Sequence, residues 1–386
     1  MHVTSAPLPP RVLHVTQPVD GGVARVVADL VRMQCAAGME VAVACPGSGV
    51  LPQSLAGLGC TVLEWEASRS PGTGLLREGR RLARVVSRVR PDVIHAHSSK
   101  AGMVTRLVVR GRVPTVFQPH AWSFEAVGGA AALLARSWER RGARWATRLL
   151  CVSRAEQRTG ERHGIEAPWR LVPNGVDLEH FCPEDRAGPT GPPLLPPGPA
   201  GPLVVCVGRL CRQKGQDVLI EAWRHVVREV PRARLALVGD GPDAERLRAA
   251  APSSVSFAGA VDDPAPWYRA ADLVVLPSRW EGMALAPLEA MACESPVLVT
   301  DVDGAGESLP PQLAPRCLIP PDDPVSLARA LVRLLSDSAD LREMGRVAGR
   351  HVRTHHDVRR TAAAIVDVYG ELLGLETIDC REPITK

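Results

Sequence analysis

Short runs of valine, leucine and isoleucine recur along the chain, and amphipathic stretches of helical length separate most of them. That alternation predicts parallel strands covered by helices. In the first half the runs fall at 11–16, 40–45, 60–66, 92–97, 114–119 and 148–153; in the second, at 203–207, 234–238, 255–257, 273–277 and 296–300. The predicted class is α/β, with two Rossmann-like, doubly wound domains whose sheets face each other across a cleft. Between them, 188–202 holds seven prolines and four glycines, a composition in which neither helix nor ladder persists. The organisation expected is therefore a first domain over 1–187, a linker over 188–202 and a second domain over 203–357. A C-terminal helix and tail, 358–386, is expected to return to the first domain, with Ile365, Val366, Val368, Leu372 and Leu373 as its apolar residues.

Length and composition narrow the class. The 386 residues suit two or three domains, and 45% hydrophobic residues suffice for buried cores. A net charge of +4 and few aromatics argue against a nucleic-acid binder, which concentrates cations and stacking surfaces. No apolar run approaches the ~18 residues that span a bilayer. The first ten residues lack signal-peptide features, and the ten cysteines show no paired spacing of the zinc kind, so a reduced cytoplasm is the expected setting. The 46 basic residues include only three lysines, at 100, 214 and 386.

In open parallel sheets ligands sit beyond the carboxyl ends of the strands, so the residues after each strand carry the candidate chemistry. The segment 278–293 places Glu281 in a loop and Glu289 eight residues on, inside a helix that Pro287 confines to starting near 284–286. The free N–H groups of that helix start could hold a phosphate, and two carboxylates accept well from the hydroxyls of a sugar or ribose. The same pattern also suits an ordinary amphipathic helix. After the strand at 203–207, Arg209 and Lys214 flank a loop that enters a helix near Gln216, bringing two cations to a helix dipole. After the first strand, Gly21 and Gly22 open a helix near Val23, where a backbone can come close to an anion.

Together these residues resemble glycosyltransferase family 4. The resemblance rests on Glu281 and Glu289 at their spacing, the Gly208-Arg209-Leu210 and Lys214-Gly215 pairs, the runs at 172–177, 237–242 and 271–278, and the early Gly21 and Gly22. It covers 11–369 and implies a retaining, GT-B-fold enzyme that uses a nucleotide-diphosphate sugar, with UDP and a hexose expected. By the resemblance, Arg209 and Lys214 neutralise the donor's diphosphate, Glu289 accepts from the ribose and Glu281 holds a sugar hydroxyl. Gly282, Met283 and Ala284 line sugar and phosphate with their N–H groups, Gly22 approaches the diphosphate, and His120 stands near the donor sugar. No resident cofactor and no metal are expected; Asp301 and Asp303 read as loop residues.

For the acceptor, an expected small molecule, glycan or lipid-linked chain, His97 and Lys100 are the candidates, while His95 reads as a core histidine. Two arginine-rich stretches, 77–88 and 136–148, suit either an anionic membrane surface or solvated helices. The expected product belongs to polysaccharide or glycolipid assembly or to antibiotic glycosylation. A nucleotide-sugar epimerase of the same fold and a non-catalytic sugar-nucleotide binder remain as alternatives.

Overall fold

The computed structural model describes residues 10–68, 72–183 and 201–375. Most of the Pro/Gly stretch, 188–200, lies outside the described residues. The first sheet contains β1 (Arg11–Thr16), β2 (Glu40–Cys45), β3 (Thr61–Glu64), β4 (Val93–His97), β5 (Thr115–Gln118), β6 (Arg148–Cys151) and β7 (Trp169–Leu171). Its order is β3-β2-β1-β4-β5-β6-β7, with every pairing parallel. The second sheet contains β8 (Leu203–Val207), β9 (Arg234–Val238), β10 (Val255–Gly259), β11 (Leu273–Leu276), β12 (Val297–Thr300) and β13 (Leu318–Ile319), in the order β10-β9-β8-β11-β12-β13, again all parallel.

Helices cover both faces of each sheet, which is why the strands read as near-continuous apolar runs rather than alternating ones. All five residues of β4 are buried, two of them histidines. The first unit packs two apolar clusters, one around Leu13, Trp65, Leu82 and Ile94, the other around Phe117, Trp122, Leu149 and Ile165. Each buried indole is satisfied: Trp65 Nε1 donates to the Glu78 carbonyl at 3.0 Å and Trp122 Nε1 to that of Glu156 at 2.8 Å. Cys206, inside β8, is held as a neutral thiol, burial pushing its pKa up to about 12.

Three details depart from the pattern of the sequence. The edge strands β7 and β13 are only three and two residues long, too short for a periodicity to register. The first helix, Gly21–Ala36, begins at Gly21 rather than Val23, because glycine supplies the φ of 75° at its entry. Arg148 leaves the arginine-rich helix, which ends at Ala143, and begins β6.

The chain divides into two compact units. The first holds Met1–Val152, Glu156–Val172 and Arg359–Lys386; the second holds Ser153–Ala155 and Pro173–Val358. The second unit thus begins ahead of the Pro/Gly stretch. Within it, Val176 N donates to the His356 carbonyl at 2.8 Å, Val358 N to the Val176 carbonyl at 3.0 Å, and His356 Nδ1 meets the Asn174 carbonyl at 2.9 Å. These bonds tie 174–176 to the end of the second unit before the last helix, Val358–Leu373, sets out.

In each sheet the strand order reverses direction once, between β1 and β4 and between β8 and β11. At such a switch point adjacent strands send their following loops to opposite faces, leaving a crevice at the carboxyl end of the sheet. The loops that leave β8 and β11 carry Arg209, Lys214 and Glu281; those that leave β1 and β4 lead to Gly22 and start at His97.

Candidate active site

In the second unit, the chain leaving β8 runs through Arg209 into a 3-10 turn, Arg212–Lys214, and enters the helix Gln216–Glu229 at Gly215. Gly215 has a φ of 65°, and a Cβ there would lie 1.9 Å from the carbonyl oxygen of Pro277, so only glycine lets the two loops meet. They are then stitched together. Arg279 N donates to the Gln213 carbonyl at 2.7 Å and Gln213 Nε2 to the Trp280 carbonyl at 3.0 Å. The Arg279 guanidinium grips both oxygens of Asp217 at 2.9 and 3.0 Å and reaches Asp322 at 2.6 Å.

This scaffold brings Lys214 Nζ to 2.5 Å from Glu281 Oε1, and Ser278 Oγ donates to the same oxygen at 2.8 Å. The two side chains are 19% and 9% exposed, enough for a ligand to reach them and too little for water to screen the pair fully. Arg209 is exposed, and among the described residues no acceptor holds its guanidinium; its carbonyl is fixed by Gln216 Nε2 at 3.0 Å. Of the cations predicted at the strand end, one is therefore paired and one is free for a ligand.

The helix Leu285–Ala292 starts at Ala284 without a side-chain cap. Two side chains instead hold the loop before it: Ser153 Oγ donates to the Gly282 carbonyl at 3.1 Å and Asn174 Nδ2 to the Met283 carbonyl at 2.7 Å. In a planar trans peptide the N–H points opposite to its carbonyl, so these two bonds fix where the N–H groups of Met283 and Ala284 aim. They join the unpaired N–H groups of the helix's first turn. Glu289, one and a half turns in, is 4% exposed and accepts from the Tyr268 hydroxyl at 2.8 Å. Ser153, Asn174, Tyr268 and Gln213 are site residues that pattern alone missed. Asn174 sits in the 172–177 run that carried the resemblance, and Tyr268 is one of only two tyrosines; those were the available signals.

In the first unit Gly22 lies exposed in the first turn of its helix, and a Cβ there would meet nothing within 4 Å, which leaves its N–H approachable. His120 follows β5 in the left-handed region, at φ 60°, with Ala121 at φ 152°. Such backbone costs about 1–2 kcal/mol per residue, and strain of this kind gathers where a side chain must be aimed. Burial lowers the His120 pKa to about 3, leaving the ring neutral.

The two acceptor candidates are both buried. His97 does stand at the start of the helix Ser98–Val109, as its N-cap residue, but it is fully buried because β4 is central and both its faces are covered. Lys100 is also buried, its ammonium 2.7 Å from Glu78, whose carboxylate also accepts from Ser68 N at 2.9 Å. Burial opposes the charge on Glu78, but the bonds from Lys100 and Ser68 hold its pKa below the ordinary value. A buried pair of this kind ties two helices together and presents no free cation. His95 is core, as its position in β4 suggested, and its Nδ1 lies 2.7 Å from the Tyr369 hydroxyl.

The fold defines a class: two parallel-sheet Rossmann-like domains, as in GT-B glycosyltransferases. Residues 20–180 match the profile of Glycosyltransferase Family 4, and residues 201–337 that of Glycosyl transferases group 1. The lipopolysaccharide core biosynthesis mannosyltransferase LpcC of Rhizobium leguminosarum bv. viciae is 34% identical over 56% of this chain and 64% of its own length. The UDP-Gal:alpha-D-GlcNAc-diphosphoundecaprenol alpha-1,3-galactosyltransferase of Escherichia coli is 28% identical over 76% and 78%. A D-inositol 3-phosphate glycosyltransferase of Streptomyces bingchenggensis is 33% identical over 73% and 67%. Among solved structures, sucrose-phosphate synthase from Thermosynechococcus elongatus superposes with a TM-score of 0.79 at 23% identity, covering 95% of this chain and 99% of that one. Anabaena HepE in complex with UDP and glucose gives 0.76 at 20%, covering 93% and 99%. The chain belongs to glycosyltransferase family 4 and has the GT-B fold.

Proposed function

We propose that this protein transfers a hexose from a UDP-sugar, with retention of anomeric configuration, to a hydroxyl of a lipid-linked or glycan acceptor in polysaccharide or glycolipid assembly. The observation that carries the reading is the Lys214–Glu281–Ser278 cluster beside the free Arg209 at the switch point of the second sheet. Breaking the anomeric C–O bond leaves positive charge on the sugar and negative charge on the diphosphate. Arg209 and Lys214 stabilise the latter, and the N–H groups of Met283 and Ala284 add to them. Glu281 accepts from a sugar hydroxyl and Glu289 from the ribose. Gly22 and His120 serve diphosphate and sugar from the first unit. In a front-face route the departing diphosphate oxygen takes the acceptor's proton as the new C–O bond forms, so no protein nucleophile is required.

Two side-chain cations suit the phosphate-neutralising role that a divalent ion plays in other sugar transferases, so activity should persist in a chelator. UDP accompanies the HepE structure, and the names of two relatives carry a lipid-linked or lipopolysaccharide product. Arginines 77, 80, 81, 84 and 88 on the helix Leu75–Val89 accompany the exposed Leu76, and Leu133 and Leu134 stand exposed on the arginine-bearing helix Gly129–Ala143. Both support peripheral contact with an anionic membrane surface at its cytoplasmic face. Among the described residues no helix is long and apolar enough to cross a membrane.

The test is thermal stabilisation by a panel of nucleotide sugars, followed by product analysis with the stabilising donor. A bound donor raises the melting temperature with its affinity. The reading expects stabilisation by a UDP-hexose and a new glycoside; free nucleotide with an altered sugar, and no glycoside, would overturn it.

A further inference from the structure

Three buried side chains of the first unit form a hydrogen-bonded chain that ends at the half-buried His120. Gln34 Oε1 lies 2.8 Å from His14 Nε2, His14 Nδ1 lies 3.0 Å from His97 Nε2, and His97 Nδ1 lies 3.2 Å from His120 Nε2. Gln34, His14 and His97 are at most 1% exposed. Desolvation lowers the pKa of His14 to about 4 and holds that of His97 well below the ordinary value, so each imidazole is neutral and carries one N–H.

A chain of neutral imidazoles has only two self-consistent arrangements, because every link needs one donor and one acceptor. The orientation of the first amide selects between them. Gln34 turns its oxygen toward His14, and the Tyr369 hydroxyl meets His95 Nδ1 at 2.7 Å. An oxygen accepts only, so His14 carries its proton on Nε2 and leaves Nδ1 bare. The same follows for His97 and then for His120.

We infer that Gln34, His14 and His97 are positioning residues that hold His120 as its Nε2–H tautomer, with a bare Nδ1 that accepts a hydrogen bond from a hydroxyl of the donor sugar. The role of the bare nitrogen rests on the assignment of His120 to the donor. The tautomer itself does not. Ring nitrogens of His14, His95 and His97 also lie within 4.8 Å of one another, a spacing that a cation could bridge. Both nitrogens of His14 and of His97 are already engaged in the chain, so a metal there would have to break it.

The experiment uses the full-length protein, isotope-labelled in its histidine rings, and reads tautomers by long-range proton–nitrogen correlation at neutral pH. The His120 signals, identified by their loss in His120→Asn, should show Nε2 protonated and Nδ1 bare. Gln34→Leu removes the terminal acceptor; both tautomers should then populate, and kcat should fall about tenfold, the worth of one hydrogen bond, with acceptor KM unchanged. Gln34→Glu keeps an acceptor and should keep the tautomer. Three results would overturn the inference: an Nδ1–H tautomer in the wild type, wild-type tautomer and turnover in Gln34→Leu, or one equivalent of zinc bound by the purified protein with the inter-ring bonds lost. If Gln34→Leu does not fold, the wild-type spectrum decides by itself. Unimpaired turnover in His120→Ala would instead remove His120 from the reaction while leaving the tautomer result standing.

Discussion

Lys214 and Glu281, sixty-seven positions apart, meet at 2.5 Å because Gly215 lets the loop after β8 press against the loop after β11. In the absence of donor each charge neutralises the other. On the proposed function, a diphosphate would compete with Glu281 for the ammonium, and the sugar that follows would give the carboxylate its replacement donors. Glu281→Gln should therefore tighten binding of the free nucleoside diphosphate several-fold, through a Coulomb term of about 1 kcal/mol, while turnover of the sugar donor falls. Titration calorimetry of the two ligands checks it; parallel losses for both would contradict the competition.

In the proposed reaction Arg209 and Lys214 divide one task, stabilising the charge that leaves with the diphosphate. Lys214→Ala or Arg209→Ala should lower kcat about a hundredfold, near 3 kcal/mol, with the fold intact by circular dichroism. Wild-type turnover in both variants is the outcome that counts against the assignment.

Gly215→Ala probes the scaffold without touching a charge. The added Cβ would overlap the Pro277 carbonyl at 1.9 Å in a left-handed backbone, so the loops must part. Loss of about 2 kcal/mol or more and a sharp fall in donor affinity should appear together in denaturant melts and binding curves. Unchanged values in both would show that the loops need not touch.

The buried histidines make stability depend on pH in one direction. His14 and His120 have folded pKa values lowered to about 4 and about 3, and those of His95 and His97 lie well below 6.5, the value each regains on unfolding. The unfolded chain thus binds more protons between those limits. Stability should hold above pH 6.5 and fall as the pH drops toward 4, by up to about 1.4 kcal/mol per pH unit for each ring. Urea melts across this range should show more than one proton taken up on unfolding near pH 5; a flat profile would be inconsistent with neutral, buried rings.

Peripheral membrane contact can be separated from its absence with vesicles. Binding to vesicles rich in anionic lipid, weakened by moderate salt and by replacing Arg80, Arg81 and Arg84 with glutamine, is expected from the arginines of Leu75–Val89. Binding that ignores both salt and substitution would rule out those arginines as the contact.

Much of the site was legible in the chain because it is local. Glu281 and Glu289 are set by one loop and one helix, and Arg209 and Lys214 by a strand and a turn. The interior of the first unit was less legible. His97 and Lys100 are adjacent to a strand end, which suggests a mouth, yet β4 is central and the helix Ser98–Val109 turns Lys100 inward to Glu78. Nothing near them in the chain announces Glu78, which lies on a different helix.

The sequence by itself determined what depends on neighbours along the chain. Apolar runs separated by amphipathic stretches dictate parallel strands and covering helices, and Pro287 and the paired glycines dictate where two helices begin. Tertiary structure alone decided the pairings that join distant segments: Lys214 with Glu281, Tyr268 with Glu289, Asn174 with Met283, and the file from Gln34 to His120. Spacing in sequence carries no information about such partners, because strand order and helix packing, rather than local preference, bring their atoms within hydrogen-bond reach.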